Sequence, residues 1–558
     1  MTADLPVLIV GGGPVGLSLA AELGWRNIPA MVVERRTEPT AHPKATLVGA
    51  RSMELFRRWG IDGDVFDAAM PPDLDYFITF STRLNGHLFS RFVSPSIGVV
   101  RSRDPAGRQR FPELNWSAFA KTQIGQQALE PVLIRRVQAL DSIELRHGWQ
   151  LVDWEDNGDD GVSARIERIS DGRQETVRSR YMVACDGGTS RIRKKLAVPM
   201  LGRGAMRANV SFFFRSPDFL KAHDLGVANL YFIFTSDSFG VFTAIDGKEL
   251  WNYQYYFLDP AKETEALDPT AILHRAVGQP FDFELLHTTH WHHHQSVAAK
   301  WRHGNVFLAG DAAHLFSPTG GVGMNTGIGD AVDLGWKLAA VIDGWGGDWL
   351  LESYEAERKP IAVRNSTISA NNSDKIDMVM EETPADIEAE GPHGDWQRAV
   401  LSDRIRWLSR QFHSAGTHMG YRYSASPIVV ADGTPEPPDD PAVVVPSARP
   451  GARAPHVWLP DGRSSLDLFG RDWTLLCLDG DASASDNLLS VAGQTGMQID
   501  VVEISNPDMA AVYQSRYVLV RPDGHVAWRG DAIPAEVSPL LDRVRGVLPP
   551  DYLAALVG

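Results

Sequence analysis

The chain has 558 residues, too many for a single hydrophobic core, and this length suggests roughly three or four domains. With 44% apolar and 22% charged residues it reads as globular protein, and a formal net charge of −16 argues against a nucleic-acid partner, which needs a basic surface. Two distant cysteines, Cys185 and Cys477, leave no disulfide framework or CxxC site, while the lack of a basic leader and of a long apolar run predicts a cytoplasmic chain without a membrane span.

The first element is the apolar run of "VLIVGGGPVGL", residues 7–17, which leads directly into glycines. It is followed by "VGLSLAAELGWR" with helical spacing and by "AMVVE", a second apolar strand ending in Glu34. The pattern predicts a βαβ unit. Gly11, Gly13 and Gly16 form G-x-G-x-x-G at its first turn, with Pro14 opening the helix. The first glycine permits the tight turn, the second lets the backbone approach a pyrophosphate, and the third lets helix pack on strand. Glu34, followed by Arg35, is placed to accept a hydrogen bond from a ribose hydroxyl. The motif alone does not choose between FAD and NAD.

Period-two aromatic and β-branched patterns at residues 77–100 and 210–258 predict an antiparallel sheet inserted into the α/β frame. Between them, "TQIGQQALEPVLIRRV" has helical spacing and "SRYMVACDGG" reads as a strand returning to the first sheet. In "WNYQYYF", Trp251, Tyr253, Tyr255 and Phe257 share one strand face. With Tyr231 and Phe232 they are candidate walls for an aromatic substrate, or simply core. The triplet His292–His294 has no matching ligand spacing, so no metal site is expected. A second strand-loop-helix passage occupies 305–344, where Ile328, Ala331, Val332, Gly335, Leu338 and Ala339 make the apolar helix face and Asp330, Asp333 and Lys337 fall outside it. "MEETPADIEAEG" reads as a solvated acidic loop, and prolines between 435 and 455 as a stiff linker to a separate C-terminal unit.

Three tracts taken together carry a resemblance. They are the N-terminal glycine motif, "ACDGGTSRIRKKL" with Asp186, Gly187, Ser190 and Arg193, and "GDAAHLFSPTGGVGMNTG" with Asp311, Pro318, Gly320, Gly321 and Gly323. They resemble the signature motifs of the para-hydroxybenzoate hydroxylase family of FAD-dependent monooxygenases, over about the first 380 residues. The C-terminal part is similar to the thioredoxin-like domain of the phenol-hydroxylase branch. The tracts "HPKATLVGARSMELFRRWG" and "YVLVRPDGHVAWRG" look most like those of bacterial polyketide, phenylpropionate and indolocarbazole flavin hydroxylases.

The resemblance implies an α/β fold in which a Rossmann-like FAD-binding domain (1–72, 106–198, 299–380) holds an inserted antiparallel-sheet substrate domain (73–105, 199–298). A helical linker region at 381–445 and a thioredoxin-like α/β domain at 446–558 follow. It implies non-covalent FAD, NADPH or NADH as a transient reductant, O2 as co-substrate, and a small aromatic substrate oxygenated through the flavin C4a position. It assigns FAD contacts to Gln126, Asp186, Gly187, Asp311, Pro318, Gly321, Gly323, Met324 and Asn325, and to Arg51 and Lys44, the latter standing where many relatives carry arginine. Asp311, Pro318 and Gly320 are the residues implied nearest the chemistry. For Gln126 a helix-surface amide, for Arg51 a helix-start ion pair and for Asp186 a helix N-cap remain open. His314 reads as structural rather than as a general base. An FAD oxidase or dehydrogenase without oxygen insertion, or a non-catalytic flavin-binding scaffold, are the alternatives; a homodimer is left open.

Overall fold

The run at residues 5–10 forms the strand Leu5–Val10, and Pro14–Trp25 and Ala30–Glu34 complete the βαβ unit. In the computed structural model, which describes residues 5–257, 267–408 and 411–548, this unit belongs to an eight-stranded sheet. Strands Val306–Leu308, Gln174–Ala184, Leu5–Val10, Ala30–Glu34 and Ile143–His147 are successive neighbours, all parallel. Helices cover both faces of such a sheet, which is why its strands read as unbroken apolar runs; Val7, Leu8 and Ile9 have no exposed surface. In register, Val10 lies beside Ala184 and Val33, and Ala184 beside Leu308. The turns after these strands therefore share one edge.

A second eight-stranded sheet runs in the order His314–Leu315, Glu284–Ala298, Met200–Arg215, Leu250–Tyr256, Phe239–Ala244, Leu230–Phe234, Tyr76–Ser81 and Leu88–Ser94. All its pairings are antiparallel except that of Leu230–Phe234 with Tyr76–Ser81. The strand reading through Val100 is corrected: the chain turns into the helix Ile97–Ser102, because the Ser96 hydroxyl accepts from Val99 N and caps it. Leu258, read as the end of the second strand run, lies outside the described residues.

The third sheet has the order Ile499–Ile504, Trp473–Leu478, Tyr517–Val520, Val526–Gly530, the first pair parallel and the rest antiparallel. Helix Asp486–Gln494 connects the parallel pair, Pro507–Tyr513 precedes the hairpin and Ser538–Val544 follows it. A βαβ unit joined through a helix to a ββα unit is the thioredoxin topology, here without paired cysteines: Cys185 and Cys477 are both free thiols.

The helix Gly323–Ile342 shows what the apolar pattern concealed. Asp330, Asp333 and Lys337 do leave its apolar face, yet each is at most 1% exposed. Lys337 Nζ donates to Asp333 Oδ2 (2.7 Å) and Glu357 Oε2 (2.5 Å). Arg521, from the turn of the C-terminal hairpin, donates to Glu357, Asp333 and Asp523 and is itself fully buried. Asp333 and Lys337 thus belong to a buried ionic seam joining the C-terminal sheet to the first domain, flanked by the edge-to-face pair Trp336–Trp473.

The proline-rich stretch, read as a stiff linker, is pinned by ion pairs. It has neither helix nor strand, but Arg364 grips Asp439, Arg422 grips Glu436, and Arg453 is buried against Glu54 of the helix Ala50–Arg58. Burial would raise the Glu54 carboxyl, but Arg453 and Arg51 outweigh it and pull it down from 4.5 to about 2. A depressed carboxyl stabilises the fold fully above pH 4.5 and loses that contribution as pH falls toward 2. Glu54→Gln, which strands two buried guanidinium groups, should cost about 3–5 kcal/mol near neutrality. Thermal denaturation in steps of pH should show that gap narrowing below pH 4.5; a gap independent of pH would contradict the clamp.

Candidate functional site

The site is built at the shared edge of the parallel sheet. Gly11 sits at φ +112°, and a Cβ there would stand 2.2 Å from the Cys185 carbonyl oxygen. A Cβ on Gly16 would lie 1.9 Å from Gly11 O. Both are close-approach glycines of the protein with itself. Gly13 is different: a Cβ there would meet no atom within 4 Å, so the space beside it is open. Pro14 is the first residue of the helix, where its missing N–H costs nothing. Gly12 N donates to Glu34 Oε2 (2.6 Å) and Arg36 N to Oε1 (2.9 Å). Burial works against the Glu34 carboxylate, but these amides and the Arg36 guanidinium hold it below the usual range. Arg35 is exposed beside it.

At the neighbouring strand end, Asp186 Oδ2 accepts from Arg191 N (2.8 Å) and Ile192 N (3.4 Å), so one carboxylate oxygen caps the following helix. Its Oδ1 is buried without a partner, and Gly187 turns at φ +82°. Ser190 caps the same helix through Arg193 N. The Arg193 guanidinium then spans two motifs, donating to Gly188 O and to Ala312 O, both at 2.9 Å.

Asp311 follows the third strand end. It is exposed, yet protein surrounds it closely enough that burial raises its carboxyl, with His314 and Lys44 pulling the other way. Lys44 is exposed at the cleft rim. Pro318 is exposed, and Gly320 (φ +99°) and Gly321 (φ +65°) make the turn that enters the helix at Gly323, with Met324 half-buried behind them. Asn325 serves the protein itself: Oδ1 accepts from Gly49 N and Ser52 Oγ, and Nδ2 donates to Leu47 O and Gly321 O. Only its backbone is left to face a ligand.

Other expected residues sit elsewhere. Arg51 points away from the cleft, donating to Glu54 Oε2 (2.9 Å) and Asp523 O (2.5 Å); its partners are the helix and the C-terminal hairpin. Gln126 Nε2 is bound to Glu130 Oε1 (2.7 Å), while its backbone N–H holds Ala45 O beside the rim. His314 is fully buried, 2.7 Å from Asp330 Oδ2, whose other oxygen takes Arg358 Nε (2.9 Å). That makes it a structural residue.

The aromatic wall needs correcting by one register step. Pairing puts Tyr231, Tyr253, Trp251 and Tyr255 on one sheet face with Phe212 and Phe214. Three of the four are packed in core: Trp251 lies 4.4 Å from the Phe219 ring, Tyr253 is fully buried, and Tyr231 bonds its own loop at Gly226 O, while Tyr255 is half-buried. The opposite face carries Asn209, Phe213, Asn252 and Tyr256 and reaches the Gly320 turn through His293. Phe232 is on that second face, but stacks on Phe80 (4.8 Å) among the side chains of Asp348–Glu381 and Pro392–Leu408. A period-two pattern shows that a strand has two faces and is silent on which one meets the ligand.

The sequence profile of an FAD binding domain matches residues 4–369, and that of the aromatic-ring hydroxylase C-terminal region matches 447–547. The chain belongs to the FAD-dependent aromatic-ring hydroxylases. A putative polyketide hydroxylase of Streptomyces halstedii is 33% identical, with 95% of this chain and 94% of that protein covered. The rebeccamycin biosynthetic enzyme RebC with reduced flavin superposes with a TM-score of 0.88 at 35% identity, covering 98% of this chain and all of the other. The flavin-dependent monooxygenase PieE, solved with FAD and substrate, gives 0.87 at 28% identity over 98% of this chain and all of the other. As a member of this family the hydroxylase is a flavoprotein monooxygenase using FAD, NAD(P)H and O2. Among its described residues no cluster of three His, Cys, Asp or Glu could hold a metal ion, and no helix is long and apolar enough to cross a membrane.

Proposed function

We propose that the chain hydroxylates a phenolic or otherwise electron-rich ring of a fused-ring aromatic substrate. One observation carries the reading: the glycine turn, the Asp186 turn and the Asp311–Gly321 turn lie on adjacent strand ends, and Arg193 ties the last two together. The open space at Gly13 and the exposed Asp311 fit an extended cofactor with a pyrophosphate and a ribityl chain. Gly11 to Gly16 and the helix N-terminus would hold the pyrophosphate, Glu34 a ribose hydroxyl, and Asp311 a ribityl hydroxyl. Gly320, Gly321 and the amides of Gly323 and Met324 would lie against the ring, where a helix N-terminus favours negative charge. Arg35 and Lys44 add positive charge at the rim. Lysine supplies it without the bidentate fork of arginine.

Bound FAD supplies hydride acceptance and dioxygen activation; the chain's residues do the placing. Overall, ArH + O2 + NAD(P)H + H+ gives ArOH + H2O + NAD(P)+, so one oxygen atom enters the ring and the other leaves as water. Phe213, on the Asn252 side of the sheet, suits a flat ring, and Asn252 suits hydroxyl or carbonyl substituents. The fused-ring size is supported by relatives and neighbours named for polyketide and rebeccamycin chemistry. Turnover of phenolic polycycles under labelled dioxygen tests the reading. A mass gain of one labelled oxygen is expected; a product that has lost two hydrogens and gained no oxygen would make the chain a dehydrogenase or oxidase.

A further inference from the structure

One residue of the histidine triplet is turned inward. In the strand Glu284–Ala298, His292 is exposed and His294 half-buried, whereas His293 is 1% exposed and stacks on Trp291, rings 4.9 Å apart and 5° from parallel. Its Nε2 lies 2.5 Å from Asn209 Nδ2, and its Nδ1 lies 2.9 Å from Ser317 Oγ and 3.4 Å from Ser373 Oγ. With the Asn209 amide nitrogen turned toward it, Nε2 carries the lone pair and the one proton of the neutral ring sits on Nδ1. Burial, with Arg207, His294 and His292 nearby, pushes the ring's pKa down to about 3 and keeps it neutral.

The bond from Nδ1 then has a fixed sense. His293 donates to Ser317 Oγ, and the Ser317 proton is left to point at Thr319 Oγ1, 3.0 Å away. Thr319 immediately precedes Gly320 and Gly321, the turn at the cleft. From the other side, Ser369 of the Asp348–Glu381 helix donates to Ser317 O (2.5 Å) and Thr319 O (3.0 Å). The turn is therefore gripped on its backbone by a helix and on its side chains by the substrate sheet.

We infer that His293 is a positioning residue: through Ser317 and Thr319 it sets the distance between the Gly320–Gly321 turn and the substrate sheet, and so how much activated oxygen reaches the ring rather than leaving as hydrogen peroxide. The inference rests on the hydroxylase reading above for its oxygen-transfer part. The physical step is simple. Without the imidazole, a buried Asn209 amide and the Ser317 hydroxyl lose their partner, water enters to satisfy them, and the reaction NAD(P)H + H+ + O2 → NAD(P)+ + H2O2 competes.

Four variants of the FAD-loaded chain test it. His293→Phe keeps the stack on Trp291 and removes the contacts to Asn209, Ser317 and Ser373. His293→Asn offers an amide donor near the position of Nδ1. Ser317→Ala removes the acceptor, and the double variant His293→Phe/Ser317→Ala tests whether the two act as one unit. The first readout needs no turnover: the visible circular dichroism of bound flavin should change in His293→Phe and Ser317→Ala and return in His293→Asn. The second is the ratio of peroxide formed to NAD(P)H consumed with an accepted substrate. It should rise at least five-fold in His293→Phe, no further in the double variant, and fall back to within two-fold of the parent in His293→Asn. Unchanged spectra, additive effects in the double variant, or equal loss of FAD from His293→Phe and His293→Asn would each overturn the inference. If the parent itself inserts no labelled oxygen while the spectra respond as described, the hydroxylase reading fails and the positioning role stands.

Discussion

Arg521→Met should lower the stability of the chain by about 3–5 kcal/mol, the cost of removing one member of a buried charge cluster. Arg521 is 1% exposed and reaches three carboxylates: Glu357 (2.6 Å), Asp333 (3.1 Å) and Asp523 (2.8 Å). Its guanidinium also lies over the Trp336 and Tyr423 rings. Lys337 is the other cation in contact with Asp333 and Glu357, so three carboxylates meet two cations. Burial and its acidic neighbours already push the Asp333 carboxyl upward, while Arg521 and Lys337 overcome burial at Glu357 and hold it low. Methionine would leave that excess of negative charge without its fork. Differential scanning calorimetry should show an earlier transition, and limited proteolysis should cut first between Pro435 and Pro455, where the chain connects the two joined parts. A variant as stable as the parent, with the same cleavage pattern, would mean the seam contributes nothing to docking. Arg521→Lys, which keeps the charge without the planar fork, should fall between the two.

Gly13→Asp should fold and fail to bind FAD. The backbone at Gly13 is extended, φ −80° and ψ −177°, a conformation any residue adopts, and its Cβ direction is empty. A carboxylate placed there would face the pyrophosphate. One like-charge contact at about 4 Å costs about 4 kcal/mol at an effective dielectric of 20, close to a thousand-fold in affinity. Flavin fluorescence titration of the apoprotein measures it, with circular dichroism as the check on folding. Gly16→Ala gives the contrast: its Cβ would enter the Gly11 carbonyl, so it should lose folding stability along with flavin. Retention of FAD by folded Gly13→Asp would move the cofactor away from this turn.

How much of this was legible in the sequence depended on whether a residue's role is local. The βαβ unit, the positive-φ glycines and the strand ends bearing Asp186 and Asp311 are set by neighbours close in the chain, and they stand where the motifs indicate. Roles set by distant partners were hidden. Arg51 lies within a motif tract but answers to Glu54 and Asp523, and Asn325 is consumed by Gly49, Ser52 and Leu47. The Asp333–Lys337 pair, four residues apart, was the available signal for the buried seam, yet a solvated i,i+4 pair has the same pattern. The face of the aromatic sheet was undetermined for a similar reason: alternation separates Trp251 from Asn252, and only packing of Phe219 against one side decides which is core. His293 was visible as one of three histidines, and its partners Asn209 and Ser317 lie 84 and 24 residues away.

The central claim is that the turns at Gly13, Asp186 and Asp311 hold one FAD whose ring faces the Asn209–Phe213–Tyr256 side of the second sheet. A crystal structure of the FAD-loaded chain with a bound phenolic polycycle measures this directly. It should show pyrophosphate beside Gly13, the ribityl chain at Asp311, and substrate between the Gly320–Gly321 turn and that sheet face. Flavin density anywhere else, or substrate against the Trp251–Tyr253 side, would contradict the account.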